Sequence, residues 1–106
     1  MTTLTADLAQ FEARAGEVAA TLKALASRPR LMVLCKLVED GEMRVGELAE
    51  AVGLSQSALS QHLARMREEG LVGFRREGQS LFYFVADRRC EALLMTLHHL
   101  YCSKDA

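Results

Sequence analysis

Three features of this 106-residue sequence predict a mainly α domain carrying one β-hairpin. Apolar residues recur at helical spacing through most of the chain. Two of the helical stretches are separated only by Gly53, Leu54 and Ser55. After Gly70 the period drops to two. The resulting order is four helices, a hairpin and a fifth helix, the layout of a winged helix-turn-helix.

The first helix runs from about Asp7 to Ala26, where Leu8, Phe11, Ala15, Val18, Leu22 and Leu25 fall at steps of three and four and Gly16 weakens it locally. Ser27 can cap the next helix, and Pro29 suits its first turn, where a missing N–H costs nothing; that helix runs from about Arg30 to Glu39. Asp40 and Gly41 end it. A third helix, about Val45 to Val52, sets Val45, Leu48, Ala49 and Val52 on one face, and Gly53 fits the left-handed position beyond it. Ser55 can cap the fourth helix and Gly70 can close it, which places a helix-turn-helix at 45–69.

VGFRRE and SLFYFVA, rich in aromatic and β-branched residues, flank the turn Gly78-Gln79 and form a hairpin wing over 72–86. Asp87 can cap a last helix that reaches about Cys102, with Leu93, Leu94, Leu97, Leu100 and Tyr101 as a broad apolar stripe. No repeat, low-complexity tract or linker interrupts the chain, so 1–106 reads as a single domain. The apolar faces of the first helix (7–26) and the last (88–102) are wider than a domain of this size covers alone. They are expected to pair across a two-fold axis in a homodimer.

Half of the residues are apolar and a quarter charged, as in a globular domain. No apolar run approaches the ~20 residues that cross a bilayer, and the first residues, MTTLTADLAQFEARAG, carry acidic groups where a signal peptide would be basic. A cytoplasmic protein without membrane contact is expected. The formal net charge of -1 argues against nucleic-acid binding by bulk electrostatics. Its distribution is uneven: residues 1–53 hold six Lys/Arg against eight Asp/Glu, and residues 54–90 hold six (Arg65, Arg67, Arg75, Arg76, Arg88, Arg89) against four. Such a chain can meet DNA with one face. The sequence has no C-x-x-C pair, strand-helix cofactor motif or triad-like set, so an enzyme is not expected and no cofactor is implied.

In the fourth helix Leu59, His62, Leu63 and Met66 form the inward face, which makes His62 a packing residue. Ser57, Ser60, Gln61 and Ala64 then point outward. A stripe of small and amide-bearing side chains solubilises poorly but suits close approach to base edges in a major groove. Gln56 and Gln61 can pair with an adenine edge, Ser55, Ser57 and Ser60 can reach the backbone or bases, and Arg65 is the positive charge at the groove rim. In the wing, Arg75, Arg76 and Gln79 lie near the turn, where they can meet the minor groove or phosphates; strand alternation directs one of the two arginines inward or along the sheet. The reading from another class is an interaction module with this fold and no DNA contact.

The runs LKALASRPRLMVLCKLVEDGE, VGELAEAVGLSQSALSQHLARMREEGLV and REGQSLFYFVAD resemble the ArsR/SmtB-type family of dimeric winged-helix repressors, over about residues 18 to 102. The resemblance implies a homodimer, joined by its first and last helices, that binds an inverted-repeat operator and is released by an inducer. Metal-sensing members carry thiolates on the third helix or an Asp/His set on the last. Here the third helix reads RVGELAEAV, Arg88 and Arg89 follow Asp87, and His98-His99 lacks a further His or Glu three residues on. No metal site is expected at either place.

LMVLC in the second helix and LHHLYC at the end of the last resemble instead the persulfide-sensing branch of the family, the SqrR, BigR and HlyU type. That resemblance implies a redox pair, Cys35 and Cys102, bridged by a disulfide or polysulfide when reactive sulfur species or another thiol oxidant arrives, with release of DNA. From the residues alone, Cys35 shares a helical face with Leu31, Leu34 and Val38 and reads equally as a small buried hydrophobe. His98, one turn before Cys102, can support its thiolate. Cys35, His98 and Cys102 also allow a soft-metal or haem site. Cys90, about 18 Å along the last helix from Cys102, is expected to pack.

Overall fold

A computed structural model describes residues 2–102. The order is α1 (Thr2–Ala13), α2 (Ala15–Leu25), α3 (Arg28–Asp40), β1 (Met43–Arg44), α4 (Val45–Val52), α5 (Gln56–Glu68), β2 (Val72–Glu77), β3 (Ser80–Val85) and α6 (Arg88–Cys102). The strands form one antiparallel sheet in the order β1-β3-β2. The winged helix-turn-helix is therefore present, with two departures from expectation.

The segment expected as one helix over 7–26 is two helices that begin earlier. Arg14 leaves helical geometry at φ -109°, ψ 5°; its N–H donates to the Phe11 carbonyl at 2.9 Å, and its own carbonyl accepts from Val18 N–H to start α2. Gly16, the residue expected to weaken the helix, lies inside α2. A one-residue turn leaves the three-and-four spacing on either side intact, so periodicity does not reveal it. The second departure is β1, whose Met43 and Arg44 pair with Tyr83 and Phe82. Two residues are too short to display an alternation.

Helix ends follow the expected chemistry, with one exception. Ser55 Oγ accepts the Ala58 N–H at 3.1 Å. Gly53 takes φ 72° and lets Leu54 N–H reach the Ala49 carbonyl at 3.0 Å, which makes the turn between α4 and α5. Asp87 Oδ1 accepts the N–H groups of Arg89 and Cys90 at 2.8 and 3.0 Å. Ser27, by contrast, is extended before α3 and makes no side-chain cap bond there; Pro29 in the first turn carries the start signal.

Val33, Leu34 and Leu37 of α3 lie fully buried with Leu48, Leu59, Leu63, Met66, Cys90 and Leu94. In this way α3 packs against α2, α4, α6 and β3 at once. Strand alternation turns Val72, Tyr83 and Val85 toward this core and Arg75, Phe82 and Phe84 away from it. The apolar faces of α1, α2 and α6 stay open: Leu8 is 59%, Phe11 54%, Leu100 64% and Tyr101 83% exposed.

Leu34→Ala should lower the unfolding free energy by about 2–5 kcal/mol, because it removes a side chain with no exposed surface from the centre of α3. Gly16→Ala, in a helix with open space where the new Cβ would stand, should raise it by up to about 1 kcal/mol. Urea unfolding at one fixed protein concentration checks both. A Leu34→Ala cost below about 1 kcal/mol would contradict the packing described.

Candidate nucleic-acid interface and thiol groove

The inward residues of α5, Leu59, Leu63 and Met66, are buried against the core. His62 stands half-buried at the rim of that face. Because these positions fix the helix rotation, Ser57, Ser60, Gln61, Ala64 and Arg65 are all exposed on the other side, and Ser55 and Gln56 at its start are exposed too. The Gln56 amide turns back toward α4: its Nε2 lies 3.5 Å from where a Cβ on Gly46 would stand. Arg65 makes no ion pair among the described residues.

The two wing arginines have different surroundings. Arg76 is exposed on the face that carries Phe74 and Leu81, makes no ion pair among the described residues, and lies close to Gln79 at the tip. Arg75, expected from the sequence as a DNA contact, is already engaged. Its Nη2 and Nε donate to Glu42 Oε1 at 2.6 and 3.0 Å, its Nη1 donates to Glu77 Oε2 at 2.7 Å, and its guanidinium lies 4.5 Å from the Phe82 ring centre. A second basic residue of α5 has a contact that sequence reasoning missed. Arg67 of α5 lies 5.0 Å from the Phe74 ring centre and joins the helix to the wing. No local pattern signals a contact between elements that fold together only in three dimensions.

Cys35 on α3 is half-buried, Cys102 at the end of α6 is exposed, and both are free thiols. They line one groove of about 400 Å³ between α3 and α6, whose walls include Leu31, Met32, Val52 and Leu97. A neighbouring hollow of about 500 Å³ shares Cys35, Glu39 and His98 with it. Burial pushes the Cys35 thiol above its usual range, and negative charge at Cys102 and then at Glu39 pushes it further the same way. Lys36, the cation of this groove, is held by Glu39 at 3.0 Å and Asp40 at 3.8 Å.

Cys90 is buried without exposed surface, as packing required, and burial, with the Asp87 carboxylate and Cys35 adding to it, pushes its thiol up to about 11. Asp87 is occupied in capping α6. Although Cys35, His98 and Cys102 line one groove, no group of three or more His, Cys, Asp or Glu among the described residues is placed to hold a metal ion. No helix among them is long and apolar enough to cross a membrane.

Residues 27–73 match the model of the bacterial regulatory protein arsR family. The chain is 45% identical to the transcriptional activator HlyU of Vibrio cholerae over 91% of its own length and 88% of that protein's. The structure of reduced HlyU from the same organism superimposes with a TM-score of 0.81, covering 89% of this chain and 98% of that one at 45% identity. The transcriptional repressor BigR of Xylella fastidiosa gives a TM-score of 0.81 at 41% identity, over 90% of this chain and 96% of that one. With the helix-turn-helix, the wing and this similarity along nearly its whole length, the chain belongs to the ArsR family of bacterial regulatory proteins, which are DNA-binding transcriptional regulators and not enzymes.

Proposed function

We propose that this chain is a homodimeric repressor that binds an inverted-repeat operator while Cys35 and Cys102 are reduced and releases it when they are joined. The observation that carries the reading is the shared groove, with one half-buried thiol on the helix beneath the helix-turn-helix and one exposed thiol at the end of α6. Cys102, the accessible sulfur, reacts first. Its thiolate takes the outer sulfur of a persulfide, RSSH, and releases RS⁻. The Cys35 thiolate then attacks the inner sulfur of Cys102–S–SH, forming the disulfide and expelling HS⁻; if Cys35 is itself persulfidated, the bridge is a trisulfide. The groove favours neutral donors, because its walls are largely apolar and its lysine is already paired to two carboxylates.

The operator is read by Ser55, Gln56, Ser57, Ser60 and Gln61, with Arg65, Arg76 and Gln79 on the backbone. The open apolar faces of α1, α2 and α6 pair with a second copy, so that two α5 helices meet half-sites about 34–36 Å apart. A soft-metal or haem signal at Cys35, His98 and Cys102 has less support, since the three are not arranged as a ligand set among the described residues.

The direct test is a gel-shift titration with intact-mass analysis before and after a persulfide donor. Bridging should weaken operator binding by about 5–150-fold, and Cys35→Ser or Cys102→Ser should bind but not release. Unchanged affinity after confirmed modification of both thiols would sink the proposal. Gln61→Ala should cost about 1–3 kcal/mol on the operator and little on random duplex, while Arg65→Ala should weaken both and flatten the salt dependence by about 0.9. Iodoacetamide should label Cys102 first and Cys35 more slowly, the Cys35 rate rising about tenfold per pH unit below its raised pKa, and Cys90 only on unfolding. Mass spectrometry of the labelled peptides reads that order, and early labelling of Cys90 would contradict it.

A further inference from the structure

Among the charged clusters outside the thiol groove, the one around Arg75 is the most completely satisfied. Glu42 receives the Nε–Nη2 edge of the guanidinium, with contacts of 3.0 and 3.1 Å from Nε and 2.6 Å from Nη2. Glu77 receives Nη1 at 2.7 Å, and the plane rests over Phe82. All three nitrogens and one face of the group are thus occupied, in the fork geometry that lysine does not reproduce.

The partners come from different parts of the fold. Glu42 lies in the short link between α3 and β1, Glu77 ends β2, and Phe82 belongs to β3. Register puts Arg44, Phe82 and Arg75 in one row across the sheet. Arg44 extends the row, 5.9 Å from the same ring centre and bonded to Glu47 at 3.2 Å. The hairpin is therefore tied at its outer face to the segment that follows α3. Arg76, one residue on and across the sheet, has no such tie among the described residues.

We propose that Arg75 is a positioning residue of the wing and not a phosphate contact: its bond to Glu42 sets the angle at which the hairpin meets DNA, and Arg76 supplies the charge. The alternative role makes the opposite prediction. If Arg75 met phosphate, neutralising Glu42 would free it, tighten DNA binding and steepen the salt dependence. If Arg75 is a brace, neutralising Glu42 removes the brace and weakens binding.

The test is fluorescence anisotropy over a salt series with a labelled duplex recovered by selection from a random-sequence pool, using the full chain. Arg75→Gln and Glu42→Gln should each weaken binding by about two- to fivefold, the scale of a surface ion pair, with no change in the salt slope. The double variant should be no weaker than either single one. Arg75→Lys, which keeps the charge but loses the fork, should behave like Arg75→Gln. Arg76→Gln should reduce the slope by about 0.9.

Hydrogen exchange on the free protein supplies a readout that does not depend on DNA. Amides of 72–77 and 80–85 should exchange faster in Arg75→Gln and Glu42→Gln and not in Arg76→Gln. Tighter binding in Glu42→Gln, a flattened slope in Arg75→Gln, wild-type binding in Arg75→Lys, or unchanged exchange in the first two variants would each overturn the assignment.

Discussion

Burial of α3 on several sides is the constraint on which the rest of the molecule depends. Val33, Leu34 and Leu37 keep no exposed surface, and α2, α4, α6 and β3 are all placed by contact with that helix. A close-packed element of this kind does not yield by degrees; it holds one arrangement or moves to another. Cys35 sits at the rim of α3, half-buried and facing the groove that ends at Cys102. In the proposed switch, a bond that pulls there acts on the helix that packs against α4 and, through α4, on α5.

The wing depends on the same helix by a different chemistry. It has a thin apolar inner face, Val72, Tyr83 and Val85, and polar ties elsewhere: Arg67 on Phe74 from α5, and Arg75 to Glu42 from the link after α3. Apolar burial fixes which side of the hairpin faces inward, because a one-residue slip would reverse every side chain. It does not fix the hairpin's angle. Charged bonds with defined geometry do that, and both arginines involved lie where a sequence scan reads only basic character suited to DNA.

What the sequence revealed and what it hid divide along this line. The helix-turn-helix was legible because its signals are local: the Ser55 cap, the left-handed Gly53 and a run of inward residues at three and four. The hairpin was legible from its change of period and from Gly78. Three features were not. The break at Arg14 preserves the spacing on both sides, and β1 is too short to alternate. The engagement of Arg75 needs a partner 33 positions away, which no window contains. Cys35 and Cys102 belong to a similar class, since their common groove exists only once α6 lies against α3.

Charge gives the last link between the parts. A chain with net charge -1 meets DNA because many of its acidic groups near the arginines are already paired: Glu42 and Glu77 with Arg75, Glu47 with Arg44, Glu69 with Arg30 and Glu17 with Arg89. Around α5 and the wing, Arg65, Arg67 and Arg76 have no ion pair among the described residues. Two phosphate contacts, by Arg65 and Arg76, give a salt slope of about -1.8, about a third or less of that of proteins with six to ten such contacts. Two copies double the number. The apolar faces left open on α1, α2 and α6 and the sparse charge around α5 and the wing both fit the proposed dimer, which would cover the first and double the second. In the proposed dimer, the step at the end of α6 need not alter any DNA contact of either copy. It acts on the spacing of the pair, which both half-sites must satisfy together.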